Sequence, residues 1–555
     1  MSRKITRRRF LEVSALAAVG AVAAGCKPAP TAAPSTVGTQ APVSAPPTAA
    51  SRPVVELVIS RGEHPSQPIL QDAPAHIAQG EAVGVKLNFQ PVPAADYGAK
   101  LQVWMATKQV PDIVRAGFSE IRDYADPSVF RPVLPLIEEY GPNLKKYLSA
   151  YPDEVKKLTM GGHLFIIPAT SYNTKLLAPM PCIRKDLLDE IGMSVPRDFE
   201  ELYQALKELK RANPQTLGWT ARGGIKRTFM IVAYPFGSGL GGWMRGIDVP
   251  YWEPTENKWL YGPIHPEFVD VLDYLARLYK EQLLDPDIAA TTPDQWHEKN
   301  GSGKGLFTWD NFSFCVRWNK AVRELDPKAT WTPIPTVKGS KGARQNDYSG
   351  FAGSGGGWCI SANCKYPERA IELLDWKLTP VGLDTCSWGI QDVHYSLSGQ
   401  RPDSIEDYTT AALEKVMDKR QRALKPDVLA EYATKADPFR SFQSDTGTGQ
   451  LDFGLLWDDA VIYSWDAPGE ADAWYEMSSA DPGLHPEVMV PSFTKEETAR
   501  LKQILADVNV IIDPAIEKVV TGQAGLSDFA KAVEDAIKAG ARELEDIYNE
   551  AEVRG

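Results

Sequence analysis

The chain's pattern predicts an α/β fold, and three observations carry that expectation. The runs VVELVIS (Val54–Ser60), VKLNFQPV (Val85–Val92) and PDIVRAG (Pro111–Gly117) are apolar and β-branched, as strands are. Between the second and third, DYGAKLQVWMATK (Asp96–Lys108) spaces its apolar residues for a helix. The chain has 555 residues, 43% of them hydrophobic and 24% charged, an ordinary composition for a globular protein. That length supplies roughly two or three domain-sized cores. Strands that alternate with helices pair in parallel through right-handed crossovers, and ligands of such sheets lie beyond the carboxyl ends of the strands. Here those ends carry Arg61-Gly62-Glu63 and Arg115-Ala116-Gly117.

Ahead of the first strand the sequence reads as a targeting segment. Arg3, Lys4 and Arg7 to Arg9 precede an apolar run from Val13 to Ala24, too short to span a bilayer as a helix. A basic head, a short apolar middle and small residues before a break describe a secretory signal over residues 1–25. Thr6-Arg7-Arg8-Arg9-Phe10-Leu11 resembles the twin-arginine export motif, with Glu12 where that pattern prefers Lys. Ala23-Ala24-Gly25-Cys26 resembles a lipobox, which implies lipidation of Cys26 and anchoring to the outer face of the cell membrane. Residues 26–52, dominated by Pro, Ala, Thr and Ser, bury too little surface to offset their ordering entropy and are expected to form a disordered tether.

Further along, PRDFEELYQALKELK (Pro196–Lys210) places Phe199, Leu202, Leu206 and Leu209 at helical spacing. HPEFVDVLDYLARLYKEQLL (His265–Leu284) and YPERAIELLDWKL (Tyr366–Leu378) each carry Pro near the first helical turn, where its missing N–H costs nothing. Leu526–Ala551 sets Phe529, Val533, Ile537, Ala541, Leu544 and Ile547 on one face of a final helix. Gly237–Gly242, Gly301–Gly305 and Gly353–Gly357 suit loops, turns or close backbone approach.

Charge and motifs exclude several functions. The formal charge is −12 for the whole chain, and without the basic signal the remainder is more acidic still, which argues against a nucleic-acid partner. Beyond Cys26 the cysteines are Cys182, Cys315, Cys359, Cys364 and Cys386, odd in number and without CxxC spacing; one bridge involving Cys359, Cys364 or Cys386 stays open. Gly237-x-Gly239-x-x-Gly242 lacks the strand-to-helix context of a dinucleotide site. There is no GxSxG, no HExxH and no full P-loop, and the seven His are scattered. No enzyme activity and no cofactor are expected. An exported glycoside hydrolase is the alternative, since two carboxylates in a cleft suffice for it and leave no spacing signature; a surface lipoprotein without a transport role is another.

Several segments in order resemble extracellular solute-binding proteins of family 1. GGHLFIIPATSYNTKLLAPMPCIRKDLLDEIGMSVPRDFEELYQALKELK resembles the stretch where that family's chain first crosses between lobes, and GSGKGLFTWDNF (Gly301–Phe312) the return crossing, with TPIP (Thr332–Pro335) after it. YPERAIELLDWKLTPVGLDTCSWGIQDVHY (Tyr366–Tyr395) and PSFTKEETARLKQILADVNVIIDPAIEKVVTGQ (Pro491–Gln523) resemble the long lipoprotein subgroup that binds oligosaccharides. The resemblance implies a two-lobe, type II periplasmic-binding-protein-like fold joined by hinge crossings, acting as a monomer that captures a carbohydrate and delivers it to an ABC transporter permease. It places the N-lobe at 53–172 and 305–352, and the C-lobe with a helical extension at 173–304 and 353–555. Some subgroup members carry a calcium loop after the helix matching Phe199–Lys210. Arg211–Thr220 lacks the oxygen ligands for it, so no metal is expected.

A sugar cleft needs aromatic platforms and fixed hydrogen-bonding groups. The candidates are Trp309 and Asp310 on the return crossing, Trp388 and Tyr395 in the Ser-Trp-Gly-Ile region, Tyr172 and Asn173 on the first crossing, Trp219 and Arg222 after a helix, and Arg61 and Arg115 at strand ends. Each has a structural counterpart: core packing for the tryptophans, helix capping for Asp310, ordinary surface charge for the arginines. Convergence of the arginines would favour an anionic sugar, because guanidinium pairs bidentately with carboxylate.

Overall fold

A computed structural model describes residues 52–554 other than 66, 170, 173–178, 240–248, 313, 348–354, 409–420, 436, 452–454, 457–464, 466–473, 475–482 and 487. Cys26 and the tether lie outside the described residues. From Pro53 onward the chain forms one compact unit built on two sheets. It lays down β1 (Val55–Ser60), β2 (Val85–Phe89), β3 (Ile113–Gly117) and β4 (Ile167–Pro168), then β5 (Pro179–Arg184), β6 (Gly218–Trp219), β7 (Gly305–Asn311) and β8 (Trp331–Pro333), and returns with β9 (Gly356–Ile360).

The first sheet has the order β2-β1-β3-β9-β4, with β1 parallel to β2 and β3, and β9 antiparallel to both its neighbours. The alternation in β1 sends Val55, Leu57 and Ile59 into the first core and leaves Glu56 outside. Helix Pro367–Trp376 packs against both Pro74–Val83 and Leu134–Tyr140 over that core. The second sheet has the order β8-β5-β7-β6, with β5 antiparallel to β7 and β8. Phe199–Ala212, capped by Asp198 accepting from the Glu201 amide at 2.8 Å, buries Phe199, Leu202, Leu206 and Leu209. Glu267–Lys280 buries Phe268, Val271, Leu272, Leu275 and Leu278, and Lys495–Val520 joins the same second core through Leu501, Ile504, Val508 and Ile512. Burial of each such side chain contributes about 1.5–3 kcal/mol.

In each sheet one strand runs against the rest, β9 in the first and β5 in the second, and each is the strand that arrives from the other lobe. The carboxyl ends of β1, β3 and β4 therefore share an edge with the start of β9, and those of β6, β7 and β8 share an edge with the start of β5. Both edges face the crossings. The crossings themselves form two short parallel ladders, Ser171–Tyr172 with Leu455–Leu456 and Gln345–Asp347 with Leu484–Pro486. Such short ladders can absorb the backbone rotations of a hinge.

Two expectations need correction. The resemblance puts residues 305–352 in the first lobe with Gly301–Phe312 as the return crossing, yet β7 is an interior strand of the second sheet, paired from Phe307↔Ile183 to Asn311↔Pro179. The return runs after β8, through Ile334 and onward, and β9, expected in the second lobe, lies between β3 and β4 of the first. A wholly buried strand and a crossing read alike in sequence, and the glycines decide between them. A Cβ on Gly356 would sit 2.2 Å from the Ala116 carbonyl oxygen, and one on Gly357 2.1 Å from that of Ile167, so this run is squeezed between two strands. The final helix is also two, Leu526–Lys538 and Ala541–Arg554, because Gly540 takes φ +111°, a left-handed conformation that ends the first.

Candidate functional site

The candidate site is a cavity with residues of both lobes in its walls. Just past β3, Phe118, Ser119 and Arg122 line a cavity of about 650 Å³, with Gly355 ahead of β9. Its opposite wall comes from the second lobe: Phe493 and Lys495 at the start of Lys495–Val520, and Tyr548 and Arg554 from the last helix. Side chains of the first lobe reach across. Arg122 donates to the Pro491 carbonyl at 3.3 Å and lies 5.0 Å over the Phe493 ring. Lys157 donates to the Met489 carbonyl at 3.2 Å and to Glu552 at 2.6 Å, whose other oxygen accepts from the Trp259 indole at 2.9 Å. Phe493 and Tyr548 rings pack 4.8 Å apart.

A second polar feature sits at the carboxyl edge of the second sheet. Asp310, near the end of β7, takes two hydrogen bonds from Arg222 at 3.0 and 2.9 Å, and Arg227 stands 3.7 Å away. The Arg222 guanidinium lies 5.1 Å over Trp296 and 5.0 Å over Phe314, so it is held between aromatic faces. Beside them Trp318 donates to His297 Nδ1 at 3.1 Å, and burial, helped by the Arg317 and Arg222 charges, pulls His297 down to about 4.

Of the residues singled out in the sequence, Asp310 and Arg222 are brought together at the facing edge. Four others are core side chains. Trp309 is 2% exposed, stacked on Phe199, and its indole donates to Pro179. Strand alternation explains it: Trp309 shares the Phe307 side of β7, which faces the second core. Trp219 is buried against Phe307. Trp388 is buried with Tyr395, whose hydroxyl donates to buried Asp384 at 3.1 Å. None of these offers a ring face to a sugar. Arg61 donates to the Gly62 and Gln450 carbonyls, and Arg115 to those of Ala116 and Gly357; each holds backbone in the first lobe. Tyr172 is in a crossing strand, paired with Leu456, and Asn173 lies outside the described residues.

The cavity residues Phe118, Arg122, Phe493, Lys495, Tyr548 and Arg554 were missed. Phe118 directly follows the strand end at Gly117 and was within reach of sequence reasoning. The others come from the far carboxyl-terminal segment, which carries no local signal of its placement. The five described cysteines are all buried and free, and among the described residues no group of His, Cys, Asp and Glu could hold a metal ion.

Comparison with known proteins bears on the family and the fold. Residues 66–382 match the bacterial extracellular solute-binding protein family. Lipoprotein LipO of Bacillus subtilis is 24% identical over 292 residues, 51% of this chain but only 55% of LipO's own length. The polygalacturonan/rhamnogalacturonan-binding protein YtcQ of the same species is 22% identical over 482 residues, 84% of this chain and 85% of YtcQ. Among solved structures, the alginate-binding protein AlgQ2 superposes with a TM-score of 0.70 at 20% identity, covering 91% of this chain and 99% of AlgQ2. The chain belongs to the bacterial extracellular solute-binding protein family, and its paired α/β lobes, joined by crossing strands, are that family's fold.

Proposed function

We propose that this chain is the solute-capturing component of an ABC importer: a monomer held outside the cell membrane by a lipid on Cys26, which closes its lobes around an oligosaccharide and presents it to a permease. The observation that carries the reading is the cavity walled by both lobes, by residues just past β3 on one side and by the carboxyl-terminal helices on the other. Phe118 and Phe493 bring apolar rings to it, suited to the CH faces of pyranose rings. Asp310 and Arg222 are the polar groups proposed to meet sugar hydroxyls on the second-lobe edge, and Tyr172 to flank them at the hinge. The lipobox-like Ala23-Ala24-Gly25-Cys26 and the Pro/Ala/Thr segment after it support anchoring by a tether. LipO is named a lipoprotein, and YtcQ and AlgQ2 are named for the polysaccharides they bind.

A thermal-shift screen against mono- and oligosaccharides tests it. A true ligand at a hundredfold excess over Kd stabilises the protein by about 2.7 kcal/mol, with no new product in the mixture. Product formation would replace this reading with a glycoside hydrolase, and silence across the whole panel would remove the carbohydrate.

A further inference from the structure

We infer that the interlobe cavity selects a saccharide bearing carboxylates, an oligouronate, over its neutral counterpart; this rests on the carbohydrate reading above. The chain carries 72 acidic and 60 basic residues, so an average patch of its surface is acidic. The cavity is the reverse. Arg122, Lys157, Lys495 and Arg554 line it, and no Asp or Glu does. Basic groups gathered in a crevice of an acidic body make a local field that draws an anion.

The bases are divided between the walls, Arg122 and Lys157 on the first lobe, Lys495 and Arg554 on the second. An anionic chain lying between them is held from both sides. Two of the four are steadied from behind: Lys157 by Glu552 at 2.6 Å, and Arg554 by Glu497 at 3.0 and 2.7 Å. These pairs fix the side chains while lowering their net charge. Lys495, exposed in the first turn of its helix, is the group best placed to meet a carboxylate. Arg122, lying over Phe493, combines a planar donor fork with an apolar ring, the two surfaces a uronate presents.

The experiment titrates the full chain calorimetrically with a trigalacturonate and with its methyl ester, which keeps every ring and hydroxyl and loses the charge. The uronate is expected to bind about tenfold tighter or better, its affinity falling with added salt while that of the ester holds. Lys495→Gln, an exposed change that leaves the fold intact, is expected to weaken the uronate about fivefold and leave the ester unchanged; Arg122→Gln is the second variant. Equal binding of acid and ester overturns the inference and leaves the carbohydrate reading standing. So does binding of some neutral sugar when neither of these binds. Uronate binding indifferent to both substitutions removes the cavity as its site. Failure of every saccharide removes both readings.

Discussion

Replacement of Asp384 by Ala is expected to destabilise the first lobe by about 3–5 kcal/mol. Its side chain is 1% exposed and takes a 2.7 Å bond from Arg422 Nε on one oxygen. The other oxygen accepts from Arg401 Nε at 2.8 Å and from the Tyr395 hydroxyl at 3.1 Å. Arg401 also donates to that hydroxyl at 2.7 Å and to Gln391 at 2.8 Å. Removing the carboxylate takes the anionic partner from two guanidiniums, one of them with no exposure at all. Tyr395→Phe, which deletes one hydroxyl and keeps the ring against Trp388, is expected to cost about 1 kcal/mol. Denaturant unfolding followed by tryptophan fluorescence reads both. Full stability in Asp384→Ala would contradict the network, and loss of sugar binding in Tyr395→Phe without loss of stability would return Tyr395 to the ligand site.

Acid is expected to weaken the fold in a defined window. Burial pulls His76 and His394 down to about 4, with lesser contributions from Lys377 and Lys425, as it does His297. His76 lies against Phe89 with Nδ1 on the Leu70 carbonyl at 2.8 Å, and His394 Nδ1 accepts from the Ile390 amide at 2.9 Å. These imidazoles stay neutral in the folded chain, while in the unfolded chain they take up protons below about 6.5. The unfolded state thus binds more protons between about 6.5 and 4, and stability falls as pH falls through that range. Each His contributes a slope of up to about 1.4 kcal/mol per pH unit, and below about pH 4 these groups add no further loss. Unfolding free energies from pH 7 to 4 check this. His76→Asn should reduce the slope by up to about 1.4 kcal/mol per pH unit whatever it costs at pH 7; an unchanged slope would mean that His76 is not held neutral.

The fold was legible wherever a face had to be buried. The period-two run of Leu57 and Ile59, and the helical stripes of Phe199–Leu209 and Phe268–Leu278, sit on the cores their spacing predicts. Lobe membership was harder, because β7 is buried along nearly its whole length and pairs with a strand over a hundred residues earlier in the chain. The site was legible in part. Asp310 and Arg222, singled out separately, meet as an ion pair near the end of β7. Trp309 misled by one residue, which in a strand reverses the direction of the side chain. The cavity's far wall depends on the chain returning to the second lobe: Trp465 packs with Tyr432 and Phe442 in the first lobe, whereas Trp474 joins Trp296 and Phe312 in the second. No local pattern around Phe493 or Tyr548 encodes that passage.

Hinged closure on a guest is tested most directly by distance. Val103 and Leu325 are exposed, one in each lobe, and the five described native cysteines are buried, so Val103→Cys and Leu325→Cys in a chain with Cys26→Ser accept a donor and acceptor dye selectively. Single-molecule energy transfer is predicted to move between two distance populations as a binding saccharide is added, with a midpoint at its Kd. A saccharide that saturates the protein while the distribution stays fixed would contradict closure.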